Sequence, residues 1–305
     1  MKIAAIDLGS NTFHLLIAEY KNNQVDIIFK THRPVKLSEN ITLNNCIIPK
    51  AFERGITCLQ EFKSIVNKYG VDQTKAVATS AIRSAKNGED FVKKAQELTS
   101  IKIEIISGDK EADLIYSAVK ASGAIKEKSL IMDIGGGSTE FIFCDEDKSY
   151  WRKSYDIGAA RLMQNFFKSD PISVENMDTI NSHLRATLSD LLEFNKEFKA
   201  INLIGSAGAF ETYLEMIQPE TDLQLISTSS IDIFKYKDLS SNLKSSTHRE
   251  RLVMPNLIPL RVDMIVMAFV LTDFIINNLN IQQINMSTYD LKYGIVNQSY
   301  NFATK

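Results

Sequence analysis

Short apolar runs separated by polar turns open the chain and predict β-strands. Three such runs, at residues 3–8, 13–20 and 25–30, follow each other closely enough to form an antiparallel meander. The apolar positions then change to helical spacing over 49–69, and Gly70 ends that segment. The pattern further predicts strands at 76–79 and 102–106 and helices at 87–98 and 109–122. A meander followed by helices and more strands indicates an α/β plan.

The same order of elements begins again at Ser129, after Gly123 ends the preceding helix. A hairpin over 130–132 and 141–143, with a third strand at 151–155, repeats the opening meander. The pattern then predicts a helix from Ala159, a long amphipathic helix over 174–198, a strand at 201–204, a helix from Ala209, a polar serine-rich stretch over 238–251, a helix over 260–278, a strand at 283–286 and a final segment from Tyr289. The helix over 260–278 is apolar on nearly all sides, so we expect it in the core. We predict two domains, 1–123 and 124–305, and leave open whether the last segment packs back on the first.

Each meander contains a glycine-rich turn that an aspartate precedes. The two turns read Asp7-Leu8-Gly9-Ser10-Asn11-Thr12 and Asp133-Ile134-Gly135-Gly136-Gly137-Ser138-Thr139-Glu140. Glycines let a backbone approach an anion with its N–H groups turned inward, and hydroxyl groups add donors. The aspartate would repel bare phosphate, so its position makes sense if a divalent cation lies between them. One such turn also fits an ordinary hairpin, but the repetition favours two similar halves whose turns face one cleft.

The remaining features of the sequence exclude several classes of protein. No Walker loop occurs, and no G-x-G-x-x-G opens a helix after the first strand, which disfavours P-loop and Rossmann folds. The three scattered cysteines predict neither a disulfide framework nor a zinc site, and they fit a reducing cytoplasm. The chain begins unlike a signal peptide, and its longest apolar run, 264–271, is too short to cross a bilayer. We therefore expect a cytoplasmic protein with no membrane role and no nucleic-acid partner.

Four motifs resemble those of one known family, and they fall in order along the first 140 residues. They are Ile6-Asp7-Leu8-Gly9-Ser10-Asn11-Thr12, Ala78-Thr79-Ser80-Ala81-Ile82-Arg83-Ser84-Ala85-Lys86-Asn87, Ile106-Ser107-Gly108-Asp109-Lys110-Glu111-Ala112, and the turn from Asp133 to Glu140. On these motifs the chain resembles the exopolyphosphatase and guanosine pentaphosphate phosphohydrolase (Ppx/GppA) family, within the actin, sugar kinase and heat-shock chaperone superfamily. The resemblance implies an α/β fold of two ribonuclease-H-like lobes, with the active site in an interdomain cleft.

The resemblance also implies roles for particular residues. Phosphate would be bound by the amides and hydroxyls of Gly9, Ser10, Asn11 and Thr12, and by those of Gly135, Gly136, Gly137, Ser138 and Thr139. Asp133, with Asp7 or Glu140, would hold Mg²⁺ or another divalent cation. Glu111 would be the general base, and Asp133 and Glu140 complete the catalytic set. From the residues alone, Glu111 in the first turn of a helix with Ser107 at its N-cap equally suits the helix dipole.

Several basic residues are further candidates for contacts with phosphate. Arg83 follows Thr79-Ser80 at a predicted helix start, where a cation is unfavourable without an anionic ligand. We predict that Arg83 contacts phosphate, and an exposed surface arginine is the alternative. Lys36 aligns with a basic position of the family. A cluster in the second half either tracks a long polyphosphate or forms a solvated helix face, and it consists of Lys244, His248, Arg249, Arg251 and Arg261.

The leading prediction is a homodimeric, Mg²⁺-dependent exopolyphosphatase that releases orthophosphate from the ends of inorganic polyphosphate. Hydrolysis of guanosine pentaphosphate (pppGpp) is the alternative, because it uses the same chemistry. A superfamily kinase and a non-catalytic phosphate or nucleotide sensor also remain open. The second half departs from the family pattern at 205–209 and 290–294. The turn Gly205-Ser206-Ala207-Gly208-Ala209 lies where superfamily kinases hold adenosine, and its missing glycine and threonine disfavour nucleotide binding.

Overall fold

A five-stranded mixed sheet organises the first half of the chain in the computed structural model, which describes residues 1–21, 24–206 and 208–303. Its strands are β1 (Lys2–Leu8), β2 (Thr12–Lys21), β3 (Gln24–Pro34), β4 (Gln73–Ala78) and β5 (Ile103–Ile105), in the order β3-β2-β1-β4-β5. β1, β2 and β3 form the predicted antiparallel meander, and β4 and β5 continue the sheet in parallel.

Helices pack on this sheet around one apolar core. They are α1 (Ile41–Asn44), α2 (Pro49–Lys68), α3 (Ser80–Ser84), α4 (Gly88–Thr99) and α5 (Gly108–Ser122). Alternate residues of β1 and β2, such as Ile6 and its cross-strand partner Leu15, face this core, which α2 and α4 complete with Phe62 and Phe91. The opposite alternation places Asp7 on the other face of the sheet.

A six-stranded mixed sheet repeats this plan in the second half. Its strands are β6 (Ser129–Ile134), β7 (Thr139–Cys144), β8 (Ser149–Tyr155), β9 (Asn202–Ser206), β10 (Thr228–Ile231) and β11 (Gln283–Ser287), in the order β10-β11-β9-β6-β7-β8. The series β8-β7-β6-β9-β11 matches β3-β2-β1-β4-β5 in both order and direction. The prediction of two similar ribonuclease-H-like lobes is therefore confirmed.

The helices of the second half surround a larger core. They are α6 (Ala159–Phe166), α7 (Val174–Thr187), α8 (Ser189–Phe198), α9 (Gly208–Ile217), α10 (Ile233–Ser245), α11 (His248–Arg251), α12 (Pro259–Val262) and α13 (Ile265–Leu279). α13 is buried along nearly its whole length, as its apolar sequence predicted. It packs with residues such as Phe210 and Tyr213 of α9.

Two predictions about this half were wrong. The expected helix over 174–198 is broken at Leu188, whose ψ of 18° is not helical, although the amphipathic pattern continues because α7 and α8 bury apolar residues in the same core. The expected helix over 260–278 is likewise divided, because residues 263 and 264 form a turn between α12 and α13. The serine-rich stretch, for which the sequence predicted no particular element, is largely helical. Asp232 caps α10 by accepting hydrogen bonds from two backbone N–H groups, and Thr247 and Glu250 form a capping box on α11.

The last helix, α14 (Leu291–Ala303), packs against β1 and β2. The first unit accordingly comprises Met1–Ala118 and Asp290–Lys305, and the second comprises Val119–Tyr289. The predicted boundary at residue 123 was placed at the end of a helix, which Gly123 marks. In the structure, the contacts between residues divide the chain within α5, between Ala118 and Val119. Gly294 is needed for the close approach of α14, since a Cβ there would lie 2.1 Å from the carbonyl oxygen of Leu114.

Candidate active site

The two glycine-rich turns have the same geometry. A Cβ on Gly9 would lie 2.7 Å from the carbonyl oxygen of Thr12, and a Cβ on Gly135 would lie 3.0 Å from that of Ser138. Each turn thus closes over its first glycine in the same way and connects the first two strands of its sheet. The duplication seen in the sequence is therefore also a duplication of backbone conformation.

The carbonyl groups of the second turn are held by the start of α6. Backbone N–H groups of residues 158–161 donate to the carbonyl oxygens of 135–137 over 2.9 to 3.2 Å. The Nε of Arg161 adds a bond of 2.9 Å to Gly137. In a trans peptide the N–H points away from the preceding C=O, so the N–H groups of 136–138 point away from α6. Successive N–H groups arranged like this form a site that suits an anion.

Gly158 and Arg161 support this turn and were not identified from the sequence. A Cβ on Gly158 would lie 2.5 Å from backbone atoms of Gly136 and Gly137, so only glycine lets α6 approach so closely. Arg161 also lies 3.6 Å from a carboxylate oxygen of Asp156. The run of small residues at 158–160, directly after the third strand, is the signal that would have indicated a close contact.

Two buried carboxylates lie side by side at the base of the second turn. Asp133 on β6 and Glu140 on β7 are direct cross-strand partners, and they are only 7% and 1% exposed. The hydroxyl of Ser206 donates to Asp133 over 2.9 Å, and that of Ser154 donates to Glu140 over 2.6 Å. Opposed cross-strand partners point to the same face of a sheet, so the two carboxylates share one polar row with the two serines.

This donor set fits a magnesium ion. Like charges directly opposite each other destabilise a sheet, and a divalent cation between them would remove that repulsion. Mg²⁺ is usually held by one or two carboxylates together with water and substrate phosphates. The described residues contain no group of three or more His, Cys, Asp or Glu that could hold a metal ion. Asp133 and Glu140 are the two carboxylates that a site of this kind requires. Asp7 lies at the equivalent position of the first unit, opposite His14.

Glu111 and Arg83 are brought together in the first unit. Glu111 lies in the first turn of α5, where the hydroxyl of Ser107 accepts from the N–H of Lys110, so the predicted N-cap is confirmed. The Nη1 of Arg83 donates to Glu111 over 3.0 Å and to the carbonyl oxygen of Ile106 over 3.0 Å. Glu111 is 6% exposed. Arg83 thus holds a buried carboxylate in one orientation.

The physical argument that led to Arg83 was wrong. α3 has only five residues, and Arg83 lies in its last turn, where a cation is favoured by the dipole. Its contact with phosphate stays a prediction. Lys36 lies beside the first turn, because its N–H donates to the carbonyl oxygen of Asn11 over 2.8 Å. The hydroxyl of Ser38 also donates to the Asn11 side chain, over 2.8 Å.

The basic cluster of the second half is neither a continuous track nor a solvated face. Lys244 is ion-paired with a carboxylate, His248 lies 2.9 Å from another, and Arg251 is 1% exposed and bound to a third. Only Arg249 is an exposed cation with no ion-pair partner among the described residues. The guanidinium of Arg261 packs directly on Gly208, where a Cβ would lie 1.5 Å from its Nη2.

The surroundings of Arg261 are unusual for an arginine. Its Nε is buried with no hydrogen-bond partner in the described part of the chain. Burial lowers the pKa of this guanidinium, although Glu211, Glu215 and Asp133 favour its charged form. Burial also raises the pKa of Glu215, and the charge of Glu211 adds to that effect. Arg261 therefore belongs to the polar group beside Asp133. Ala207, in the turn before Gly208, lies outside the described residues.

Two ribonuclease-H-like units, each with an aspartate before a glycine-rich turn, form the architecture that the motifs indicated. The chain belongs to the Ppx/GppA phosphatase family, whose model matches residues 16–301. No helix in the described ranges is both long and apolar enough to span a membrane.

Some of the known proteins that are similar to this chain are named exopolyphosphatases, and others are named guanosine-5'-triphosphate,3'-diphosphate pyrophosphatases. The crystal structure of an exopolyphosphatase from Cytophaga hutchinsonii is 30% identical, with a TM-score of 0.95 over 99% of this chain and 98% of that one. The Aquifex aeolicus member of the Ppx/GppA family is 25% identical, with a TM-score of 0.83 over 100% and 99%. A guanosine-5'-triphosphate,3'-diphosphate pyrophosphatase of Vibrio vulnificus is 29% identical over 83% of this chain, which spans only 50% of that protein.

Proposed function

We propose that the protein is an exopolyphosphatase, which hydrolyses the terminal phosphoanhydride of inorganic polyphosphate and releases orthophosphate. The observation that carries the hydrolase assignment is the second turn, where the start of α6 holds three carbonyl groups and thereby directs three N–H groups away from that helix. The buried carboxylates Asp133 and Glu140 beside this turn supply the negative charge that a divalent cation requires.

Hydrolysis of a phosphoanhydride needs cancelled charge on the phosphoryl oxygens, in-line geometry and an activated water. The N–H groups of 136–138 bind phosphoryl oxygens, and they do so without reorganisation because α6 fixes their direction. Glu111 takes a proton from the attacking water, while Arg83 keeps the carboxylate in place. The bond from phosphorus to the bridging oxygen breaks, and that oxygen leaves on the shortened chain.

A magnesium ion held by Asp133 and Glu140 would neutralise charge on the phosphate oxygens. Ser206 and Ser154 orient these two carboxylates through their hydroxyl groups. Hydrogen bonds of this kind fix the direction in which each ligand presents its oxygen atoms.

The share of each relative that this chain matches favours inorganic polyphosphate over guanosine pentaphosphate as the substrate. The Cytophaga exopolyphosphatase matches 99% of this chain and 98% of its own length, whereas the match to the Vibrio pyrophosphatase covers only 50% of that protein. A kinase is disfavoured because Arg261 occupies the space over Gly208, in the turn where kinases of the superfamily hold adenosine.

Orthophosphate release with Mg²⁺ tests the proposal on three substrates in parallel: long-chain polyphosphate, guanosine pentaphosphate and ATP. We expect kcat/KM for polyphosphate to exceed that for either nucleotide by about tenfold or more. Preference for guanosine pentaphosphate would contradict the substrate but keep the hydrolase. No release from any of the three would contradict the hydrolase itself and favour a sensor.

A further inference from the structure

A polar pocket in the second unit lies among three helices and contains none of the residues assigned above to phosphoanhydride hydrolysis. It has a volume of about 220 Å³. Met177, Asn181 and Arg185 follow each other at intervals of four along α7 and so share one face of that helix. The facing wall comes from α13, and Lys244 of α10 lines one side.

One charge in the pocket is already compensated. The carboxylate of Asp273 accepts hydrogen bonds from the hydroxyls of Tyr236 over 3.0 Å and Ser240 over 2.6 Å, and it is ion-paired with Lys244. All three partners of the Asp273 carboxylate lie on α10, and the ion pair holds the ammonium group of Lys244 at the pocket. Asp273 and Lys244 together contribute no net charge.

The second cation of the pocket has no carboxylate partner. Arg185 is exposed, and it forms no ion pair within the described ranges. Its guanidinium lies over the ring of Phe274 at 5.8 Å, so the plane of the group is supported while its N–H edges stay available. Asn181, Asn277 and Asn278 also line the pocket, and the amide nitrogen of Asn278 donates one hydrogen bond to the carbonyl oxygen of Phe274 over 2.7 Å. The pocket therefore combines a net charge of about +1 with many hydrogen-bond donors.

We propose that this pocket binds a compact phosphate-type anion, either inorganic phosphate or the phosphate group of a small ester. A planar guanidinium beside an ammonium group and amides matches the oxygen geometry of phosphate. The apolar wall of Met177, Val270 and Phe274 suits a small organic substituent. A long polyphosphate is disfavoured, since a single net positive charge and the carboxylate of Asp273 cannot neutralise a dense row of negative charges.

The methyl group of Met177 provides a direct probe, because it lines the pocket and its signal does not depend on turnover. Protein labelled with ¹³C at methionine methyl groups is titrated with inorganic phosphate and, separately, with glycerol 3-phosphate. A Met177→Leu variant assigns the signal. We expect a saturable shift of this signal, with an apparent affinity that falls about 10- to 100-fold in Arg185→Gln.

Arg249→Gln is the matched control, since Arg249 is an exposed arginine of the same unit that does not line the pocket. It should titrate like the wild type. Tighter binding of glycerol 3-phosphate would identify an ester as the ligand, and equal or tighter binding of phosphate would identify the free anion. A shift that never saturates, or one of equal affinity in Arg185→Gln, would overturn the proposal. Orthophosphate release from polyphosphate should be unchanged in Arg185→Gln, so failure of the pocket and failure of the proposed function are distinguishable.

Discussion

Adding a single methyl group at Gly158 should distort the second glycine-rich turn, and so lower kcat, while the protein stays folded. A Cβ at this position would lie 2.5 Å from backbone atoms of Gly136 and Gly137, whereas ordinary contact begins at 3.4 Å. The obstructing atoms belong to the backbone and cannot rotate away. Gly158→Ala therefore forces α6 and the turn apart by the difference, about 0.9 Å.

A displacement of this size disturbs the bonds that direct the N–H groups of 136–138. Misplacing a positioning group by ~1 Å costs about 10²-fold in rate. Overpacking by one methyl group costs only about 1–3 kcal/mol of unfolding free energy. We therefore expect a folded Gly158→Ala protein whose kcat for orthophosphate release is lower by about two orders of magnitude.

The assay compares kcat, KM and thermal unfolding of Gly158→Ala with those of Gly70→Ala. Gly70 has φ of +59°, and a Cβ at that position would have no atom within 4 Å, so its replacement adds strain without a clash. Alanine in that conformation costs about 1–2 kcal/mol, which matches the stability loss expected at 158. Only Gly158→Ala should lose kcat. If both variants keep kcat within about twofold of the wild type, the idea that α6 positions the turn is wrong.

Three further predictions follow from contacts of the two units. Ser154→Ala removes the hydroxyl that donates to Glu140 over 2.6 Å, so half-maximal activity should require about 10- to 100-fold more Mg²⁺, and an unchanged Mg²⁺ titration would contradict this. Arg83→Lys keeps the charge but removes the planar guanidinium, whose Nη1 donates to both Glu111 and a backbone carbonyl oxygen, so kcat should fall about tenfold, and an unaltered kcat would show that the pair is not needed. Burial alone would raise the pKa of Asp190, but hydrogen bonds to its carboxylate oxygens lower it below the usual 3.8. Its stabilising effect is therefore present at neutral pH and is lost as the pH falls through that lowered pKa, so Asp190→Asn should unfold more readily than the wild type at pH 7 and equally at low pH; a constant difference would refute this.

Local patterns predicted most of the fold because the relevant interactions are close in sequence. Alternating apolar residues and short turns defined both hairpins, and the uniform apolar character of α13 placed it in the core. Local sequence patterns could not predict how segments that are distant in the sequence pack together. The break at Leu188 leaves the amphipathic pattern intact, and the contact of α14 with β1 and β2 joins residues from opposite ends of the chain.

The candidate site was likewise predictable only where its residues lie close together in the sequence. The turns and the place of Glu111 at the start of α5 follow from motifs of a few residues. The pairing of Asp133 with Glu140 follows from the hairpin register, which the turn length determines. The contact of Gly158 with the turn and that of Arg83 with Glu111 join segments 21 to 28 residues apart, and only the folded structure brings them together.

Glu111→Gln tests the central claim, that Glu111 activates the attacking water. Asp109→Asn is the matched control, because Asp109 is an exposed carboxylate in the same first turn of α5 and loses the same charge. Orthophosphate release from polyphosphate should fall about 10²- to 10⁴-fold in Glu111→Gln and stay near the wild-type rate in Asp109→Asn, with both proteins folded. Equal rates in the two variants would mean that Glu111 serves only the helix dipole, and would contradict the account.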